Sequence, residues 1–275
     1  MKSRTLNLLM ILTCWIIPLS GFSQENVNLA MGNPSGATSD TIKKDNYLMV
    51  KPQYSLSYNN TKHTPNWVSW HVGSSDLGII SRQSNFQPDA TLPANWYKVT
   101  PQDYSNSGFD KGQQCPTGDR NNSEENNSAT FLMTNMIPQA PNNNRITWDR
   151  LESYCRKLVS QGNELYIICG PEGTGGTGSN GFSLELKHNV AVPLQLWKII
   201  VVLPEGNDDI KRIDASTRVI AVLIPNSQEC SEKEWGKYRV SVNQLQSLTG
   251  YDFLSNVPKD IQKIIEARID DGLIN

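Results

Sequence analysis

Histidine is scarce in this chain: His63, His71 and His188 are the only three among 275 residues. None stands three or four residues from another, and no Cys-x-x-Cys spacing occurs, so the usual structural zinc patterns are excluded. Positive charge is not in excess either. Lys and Arg number 25 against 27 Asp and Glu, which argues against broad electrostatic capture of a polyanion. Long apolar runs are missing with one exception, Leu8 to Leu19. That run is broken by Thr13 and Pro18 and is shorter than the roughly 20 residues of a spanning helix.

With Lys2 and Arg4 before it and Gly21-Phe22-Ser23 after it, the run reads as an export signal, residues 1–23, cleaved after Ser23. Trp15-Ile16-Ile17 continues the apolar stretch past Cys14, which argues against a lipid-modified cysteine there. The expected product is exported, periplasmic or extracellular, with no membrane contact once the signal is removed. Without residues 1–23, which hold no acid, 23 basic side chains face 27 acidic ones, a net charge of −4. Any nucleic-acid site must therefore be local. Cys115, Cys155, Cys169 and Cys230 remain, an even number that in an exported chain permits disulfides in any of three pairings.

Residues 24–45, rich in Asn, Gly, Ser and Thr without periodicity, read as a flexible lead-in. One compact domain is expected over 46–272. Trp67-Val68-Ser69-Trp70 and Thr130-Phe131-Leu132-Met133 read as strands, as do Glu164 to Cys169, Leu196 to Leu203 and Arg218 to Ile224. Trp148, Leu151, Tyr154, Cys155 and Leu158 recur at helical spacing, with Thr147 as the expected cap. Val240 to Leu248 and Lys259 to Ile269 read as further helices. Strands and helices do not alternate as βαβ units, so the expected class is α+β with a largely antiparallel sheet. The glycine-rich stretch Gly170 to Gly178 lacks the Gly-Lys-Ser/Thr ending and the following helix of a phosphate loop, and reads as a plain mobile loop.

Two segments concentrate unusual polar groups: Gly108 to Arg120, and Asn135 to Asn144 leading into the helix of Trp148. On that helix Glu152 and Arg156 stand four apart and can form an acid–base pair on one face, with Asn144 about two turns earlier if the helix extends that far back. An ordinary surface ion pair beneath an Asn-rich loop has the same spacing.

These segments resemble the paired signature of the DNA/RNA non-specific endonucleases, the family of secreted bacterial nucleases and endonuclease G. Its first motif is Asp-Arg-Gly-His, and its second is Asn-x-x-Pro-Gln followed by Asn, Trp and Glu. The second is matched by Asn135, Pro138, Gln139, Asn144, Trp148, Glu152 and Arg156, and similarity runs from Tyr47-Leu48-Met49-Val50-Lys51-Pro52 to Leu248-Thr249-Gly250-Tyr251-Asp252-Phe253-Leu254-Ser255. The resemblance implies a ββα-metal, or His-Me finger, fold. It also implies metal-dependent hydrolysis of DNA and RNA, gripped by the sugar-phosphate backbone with little base preference.

On that resemblance Asn144 would be the protein ligand of a single Mg2+, or Mn2+ in its place, with waters completing the shell. Glu152 would orient those waters and help to protonate the leaving oxygen. Arg156, and Lys111 where the family has Arg, would steady the phosphate. Asn135 and Gln139 would shape the loop, Asp110 and Gly112 would keep the strand geometry, and His63 is a conceivable phosphate contact. If Cys115 lies beside the metal helix, the resemblance makes Cys155 its natural disulfide partner, leaving Cys169 with Cys230.

The first motif departs. It reads Asp110-Lys111-Gly112-Gln113, so Gln113 occupies the position of the family's general base. A neutral imidazole accepts a proton near pH 7, whereas a carboxamide has no basic lone pair there. Three accounts of the glutamine stand open: a degenerate enzyme that keeps metal and nucleic-acid or inhibitor binding, a weakly active one using another base, or a single third-position codon change from histidine. Impaired catalysis is the expectation, since losing a general base commonly costs about 10²–10⁴-fold in rate.

Overall fold

A computed structural model describes residues 26–274; the segment read as an export signal, residues 1–23, lies outside the described residues. The strands are β1 (Tyr47–Val50), β2 (Ser55–Asn59), β3 (Thr64–Val72), β4 (Asp110–Gln113), β5 (Met136–Gln139), β6 (Asn163–Glu172), β7 (Gly176–Gly178), β8 (Gly181–Ser183), β9 (Gln195–Pro204), β10 (Arg218–Pro225) and β11 (Arg239–Val240). The helices are α1 (Glu124–Ala129), α2 (Asp149–Ser160), α3 (Asp209–Arg212), α4 (Val242–Thr249) and α5 (Lys259–Ile265). Among the described residues, seven strands form one antiparallel sheet in the order β1-β2-β3-β6-β9-β10-β11. β4 and β5 make a separate antiparallel pair, as do β7 and β8.

The central strands read as unbroken apolar runs because both faces of the sheet are covered. In β9, Leu196 and Ile200 join one core with Trp70, Trp148, Leu151, Cys155 and Leu158, while Trp197, Ile199 and Val201 join the other with Leu245, Phe253 and Ile265. Strand alternation then places Lys198 on the face of Leu196 and Ile200, under α2. α2 turns Leu151, Tyr154, Cys155, Leu158 and Val159 to that core, each such side chain contributing roughly 1.5–3 kcal/mol when fully buried. β4, β5 and α2 are the two strands and helix that the resemblance implies.

Several expectations are corrected. Residues 26–45 are not a loose lead-in, because they supply hydrogen bonds to the sheet. The buried Asn28 carbonyl accepts from Ser69 at 2.7 Å, its side chain accepts from the His71 amide at 3.1 Å, and Trp67 donates to Ser35 at 2.8 Å. Thr130 to Met133 is not a strand: Thr130 caps α1 with its hydroxyl on the Asn127 carbonyl at 2.7 Å, and the chain turns on into a 3-10 helix, Met133–Asn135. Thr147 caps nothing. The helical trace begins at Pro141 and runs through a π-helical segment, Asn143–Trp148, so no helix end exists at Thr147, and its hydroxyl faces Cys230 Sγ at 3.5 Å.

Gly170 to Gly178 forms the end of β6 and the first strand of the β7–β8 hairpin rather than a mobile loop. The cysteines are also corrected. All four are buried and free, and Cys169 Sγ is instead 3.3 Å from Gln114 Oε1. No helix among the described residues is long and apolar enough to cross a membrane.

Beyond α5, the buried Glu266 accepts from Gln246 at 3.1 Å, and its other carboxyl oxygen is unpartnered. Burial pushes this carboxyl from the ordinary 4.5 up to about 7, against the hydrogen bond from Gln246. The folded chain therefore holds a proton that the unfolded chain releases, and the associated stability is lost as pH rises through about 7. Glu266→Gln is expected to raise the melting temperature at pH 8 and leave it unchanged at pH 4. Equal shifts at both values would show that the carboxyl does not titrate in this range.

Candidate active site

A cleft of about 400 Å³ opens between β4 and the start of α2, lined by Arg82, Lys111, Gln113, Pro116, Asn144, Arg145, Asp149 and Glu152. The π-helical segment explains why Asn144 and Glu152 share it. In a straight α-helix, eight residues overshoot two turns by about 80°. The wider π turn absorbs one residue, so the pair behaves as if seven apart, within about 20° of one face.

Asn144 donates its Nδ2 to Asp110 Oδ2 at 2.9 Å, and its amide N bonds to the Ala140 carbonyl at 2.9 Å. Its Oδ1 has no hydrogen-bond partner among the described residues. Asp110 also takes both ends of the Arg145 guanidinium, at 2.8 and 2.6 Å, which raises the Arg145 pKa. One carboxylate thus orients the amide and holds a cation at the rim. Below it, Asn135 is fully buried with its side chain on the Cys115 amide and carbonyl at 2.9 and 2.8 Å. Gln139 donates to Asn143 Oδ1 at 2.7 Å, and any side chain at Gly112 would collide with Gln139.

Lys111 and Gln113, two apart on β4, share the face toward Arg82 and Thr130. Gln113 is 7% exposed, and its carboxamide is fully engaged: Oε1 accepts from Arg82 Nη1 at 3.0 Å, while Nε2 donates to the Thr130 carbonyl and hydroxyl at 3.0 and 2.9 Å. A guanidinium has only donors, so the amide can face Arg82 in one sense alone. Burial lowers the Arg82 pKa and the Glu152 charge pulls it back up.

Glu152 does not pair with Arg156. Arg156 reaches Asp119 at 3.2 Å, because Asp119 is buried and otherwise has only the Trp70 indole N–H, at 3.0 Å. Arg156 therefore stands outside the cleft lining. Glu152 instead faces Lys198 Nζ at 3.7 Å. Lys198 is 1% exposed, with its ammonium 4.2 Å from the Trp148 ring centroid. Burial raises the Glu152 pKa from 4.5 to about 7, opposed by Lys198 and Arg156 and aided by Asp119 and Asp149.

The structure thus gathers Asn144, Glu152, Lys111 and Gln113 at the cleft and leaves Arg156 behind it. His63 is not brought there: at positive φ in the β2–β3 turn, its Nδ1 donates to the His188 carbonyl at 2.8 Å and its ring lies against Tyr97. His71 packs against Tyr166 with Nε2 on Glu164 at 2.9 Å. Sequence reasoning missed Arg82, Arg145, Asp119 and Lys198. Only Lys198 carried a signal, as one charge inside an apolar strand.

The donor set suits a hard divalent cation. The free amide oxygen of Asn144 and the Glu152 carboxylate line one cleft, few enough ligands for an ion that keeps most of its waters. Among the described residues no three His, Cys, Asp or Glu side chains gather for a metal.

The chain matches the DNA/RNA non-specific endonuclease family over residues 32–260. It is 55% identical over 254 residues to a nuclease of Nostoc sp., covering 92% of this chain and 90% of that protein. It is 30% identical over 223 residues to the human mitochondrial nuclease EXOG, covering 77% of this chain but only 58% of the relative. A chain of the EndoG/EndoGI complex, solved to address the mechanism of EndoG inhibition, shares the fold with a TM-score of 0.68 at 22% identity, covering 84% of this chain and 91% of that one.

Removing one partner of a buried ion pair strands the other charge. Lys198→Met should destabilise the protein by about 2–3 kcal/mol at pH 8, a figure discounted for the partial exposure of Glu152. The loss should shrink at pH 5, where Glu152 is protonated, and Lys198→Met/Glu152→Gln should recover most of it. Urea unfolding measures all three. A double variant as unstable as Lys198→Met would mean that the two side chains do not interact.

Proposed function

The chain belongs to the DNA/RNA non-specific endonuclease family, and on that premise we propose that it is an exported, Mg2+-dependent phosphodiesterase whose hydrolysis is impaired at Gln113. The carrying observation is the convergence of Asn144 Oδ1, Glu152, Arg82 and Lys111 on one cleft beside a glutamine whose hydrogen bonds are already committed. Export is inferred from residues 1–23, and Mn2+ is the natural substitute for Mg2+.

Asn144 would hold the cation, with Glu152 orienting the waters that complete its shell, and the ion would supply charge neutralisation on the phosphate and the leaving oxygen. Arg82 and Lys111 donate to the non-bridging phosphate oxygens, and Arg145 extends positive charge along the rim. With the cations committed to phosphate oxygens and Asn144 to the metal ion, the site suits binding through the sugar-phosphate backbone of DNA or RNA.

Gln113 does not take a proton from water, because its oxygen is not basic near pH 7 and is held by Arg82. Glu152, pushed up to about 7, is the lining group that can hold or release a proton in the neutral range. In this reading Glu152 serves the leaving oxygen, so the step left unserved is activation of the attacking water. That deficit favours the reading in which substrate is bound and cut slowly or not at all.

Plasmid cleavage in Mg2+ by the wild type and Gln113→His tests this. The histidine variant should cut about 10²–10⁴-fold faster, a chelator should abolish both activities, and both proteins should retard the plasmid equally. Equal rates would refute the impairment. Failure of both proteins to bind nucleic acid, or of Gln113→His to cut it, would end the nuclease reading.

A further inference from the structure

Two of the cleft's cations stand on one aromatic ring. Lys111 Nζ is 4.8 Å from the centroid of Phe86, and Arg82 Cζ is 6.0 Å from the same centroid. Arg82 also lies 4.8 Å over Phe131, which meets Phe86 edge to face at 5.0 Å and 90°. Phe131 is fully buried and Phe86 half-buried, and the amide of Gln87, the next residue, bonds to the Phe131 carbonyl at 3.2 Å. The ring of Phe86 is thus fixed from below while its cations face the cleft. Neither cation has a carboxylate partner within ion-pair distance among the described residues, unlike Arg145, Arg156 and Lys198.

We propose that Phe86 is a positioning residue that aims Lys111 and Arg82 at one phosphate, an inference that rests on the nuclease reading above. Lysine and arginine lose considerable rotamer freedom when they grip a ligand, and that loss weakens binding. A π face attracts a cation without neutralising it. It therefore restrains both side chains beforehand and leaves their full charge for the phosphate, whereas an Asp or Glu anchor would cancel part of it. Gln113 performs the same service for Arg82 from the other side, through a neutral oxygen.

The probe is a fluorescein-labelled single-stranded oligonucleotide without Mg2+, followed by anisotropy across a salt series, with melting temperatures recorded for each protein. Phe86→Leu, which keeps apolar bulk and removes the π face, should weaken binding about tenfold, with an unchanged salt slope because both charges remain. Phe86→Tyr should bind within about twofold of wild type. Arg82→Ala should bind more weakly and lower the salt slope by about one.

Wild-type affinity in Phe86→Leu, with Arg82→Ala weakened, would overturn the role of Phe86 and leave the nuclease reading intact. Equal loss in Phe86→Leu and Phe86→Tyr would assign the effect to packing and overturn it as well. A wild type that binds no oligonucleotide would overturn this inference, since Lys111 and Arg82 need no metal ion to grip a phosphate, and would leave the Mg2+-dependent nuclease reading to the plasmid assay.

Discussion

The site depends on a single irregularity, the π turn ahead of α2. It shifts helical phase by one residue, so that an amide and a carboxylate eight apart face one cleft. Such a turn gives up regular i→i−4 hydrogen bonding and needs support from its surroundings. That support is visible on both sides. Asn142 N donates to Gln228 at 2.8 Å, Asn143 Nδ2 donates to the Pro225 carbonyl at 2.7 Å, and Asn143 Oδ1 accepts from Gln139. Asparagine is apt for this work, since each short amide offers both a donor and an acceptor. The Asn-rich stretch Asn142-Asn143-Asn144 therefore has divided duties, with the first two amides holding the turn and the third facing the cleft.

Charge is arranged by the same logic. The chain is slightly acidic overall, yet Arg82, Lys111 and Arg145 line one cleft. Their anchors differ in kind: Arg145 rests on a carboxylate, while Arg82 and Lys111 rest on aromatic rings and a neutral amide. Beneath them the Lys198–Glu152 pair keeps a carboxyl at the cleft floor that burial alone would drive further toward neutrality. Local field therefore comes from a few positioned groups and not from net charge.

What was legible in the sequence follows from period and spacing. The apolar runs of β6, β9 and β10 and the buried face of α2 were readable because burial imposes a pattern on neighbouring residues. Asn144, Glu152, Lys111 and Gln113 were readable as a motif because they lie on one short strand and one helix.

Arg82 and Arg145 were not. Arg82 sits on a long segment without regular structure, and its approach to Gln113 is a contact across 31 positions that no local pattern encodes. The lead-in misled for a related reason: polar residues without periodicity look loose, yet Asn28 and Ser35 use their polarity to bond strands distant in sequence. Cys115 and Cys155 misled differently, since an even count of thiols says nothing about which of them are shielded and how far apart their side chains stand.

Gln113 brings these strands of argument together. Its pocket has a carbonyl and a hydroxyl from Thr130 on one side and a guanidinium on the other. A neutral imidazole placed there would meet acceptors on the Thr130 side that can hold its N–H. Its other nitrogen would then carry the lone pair toward the Arg82 side, so a histidine could act as base only where Arg82 turns from it to the phosphate. The Thr130 acceptors that now hold a carboxamide would thus also anchor the N–H of a histidine. Glutamine keeps an acceptor toward Arg82 and donors toward Thr130, but without the basicity that an imidazole would bring to the same pocket.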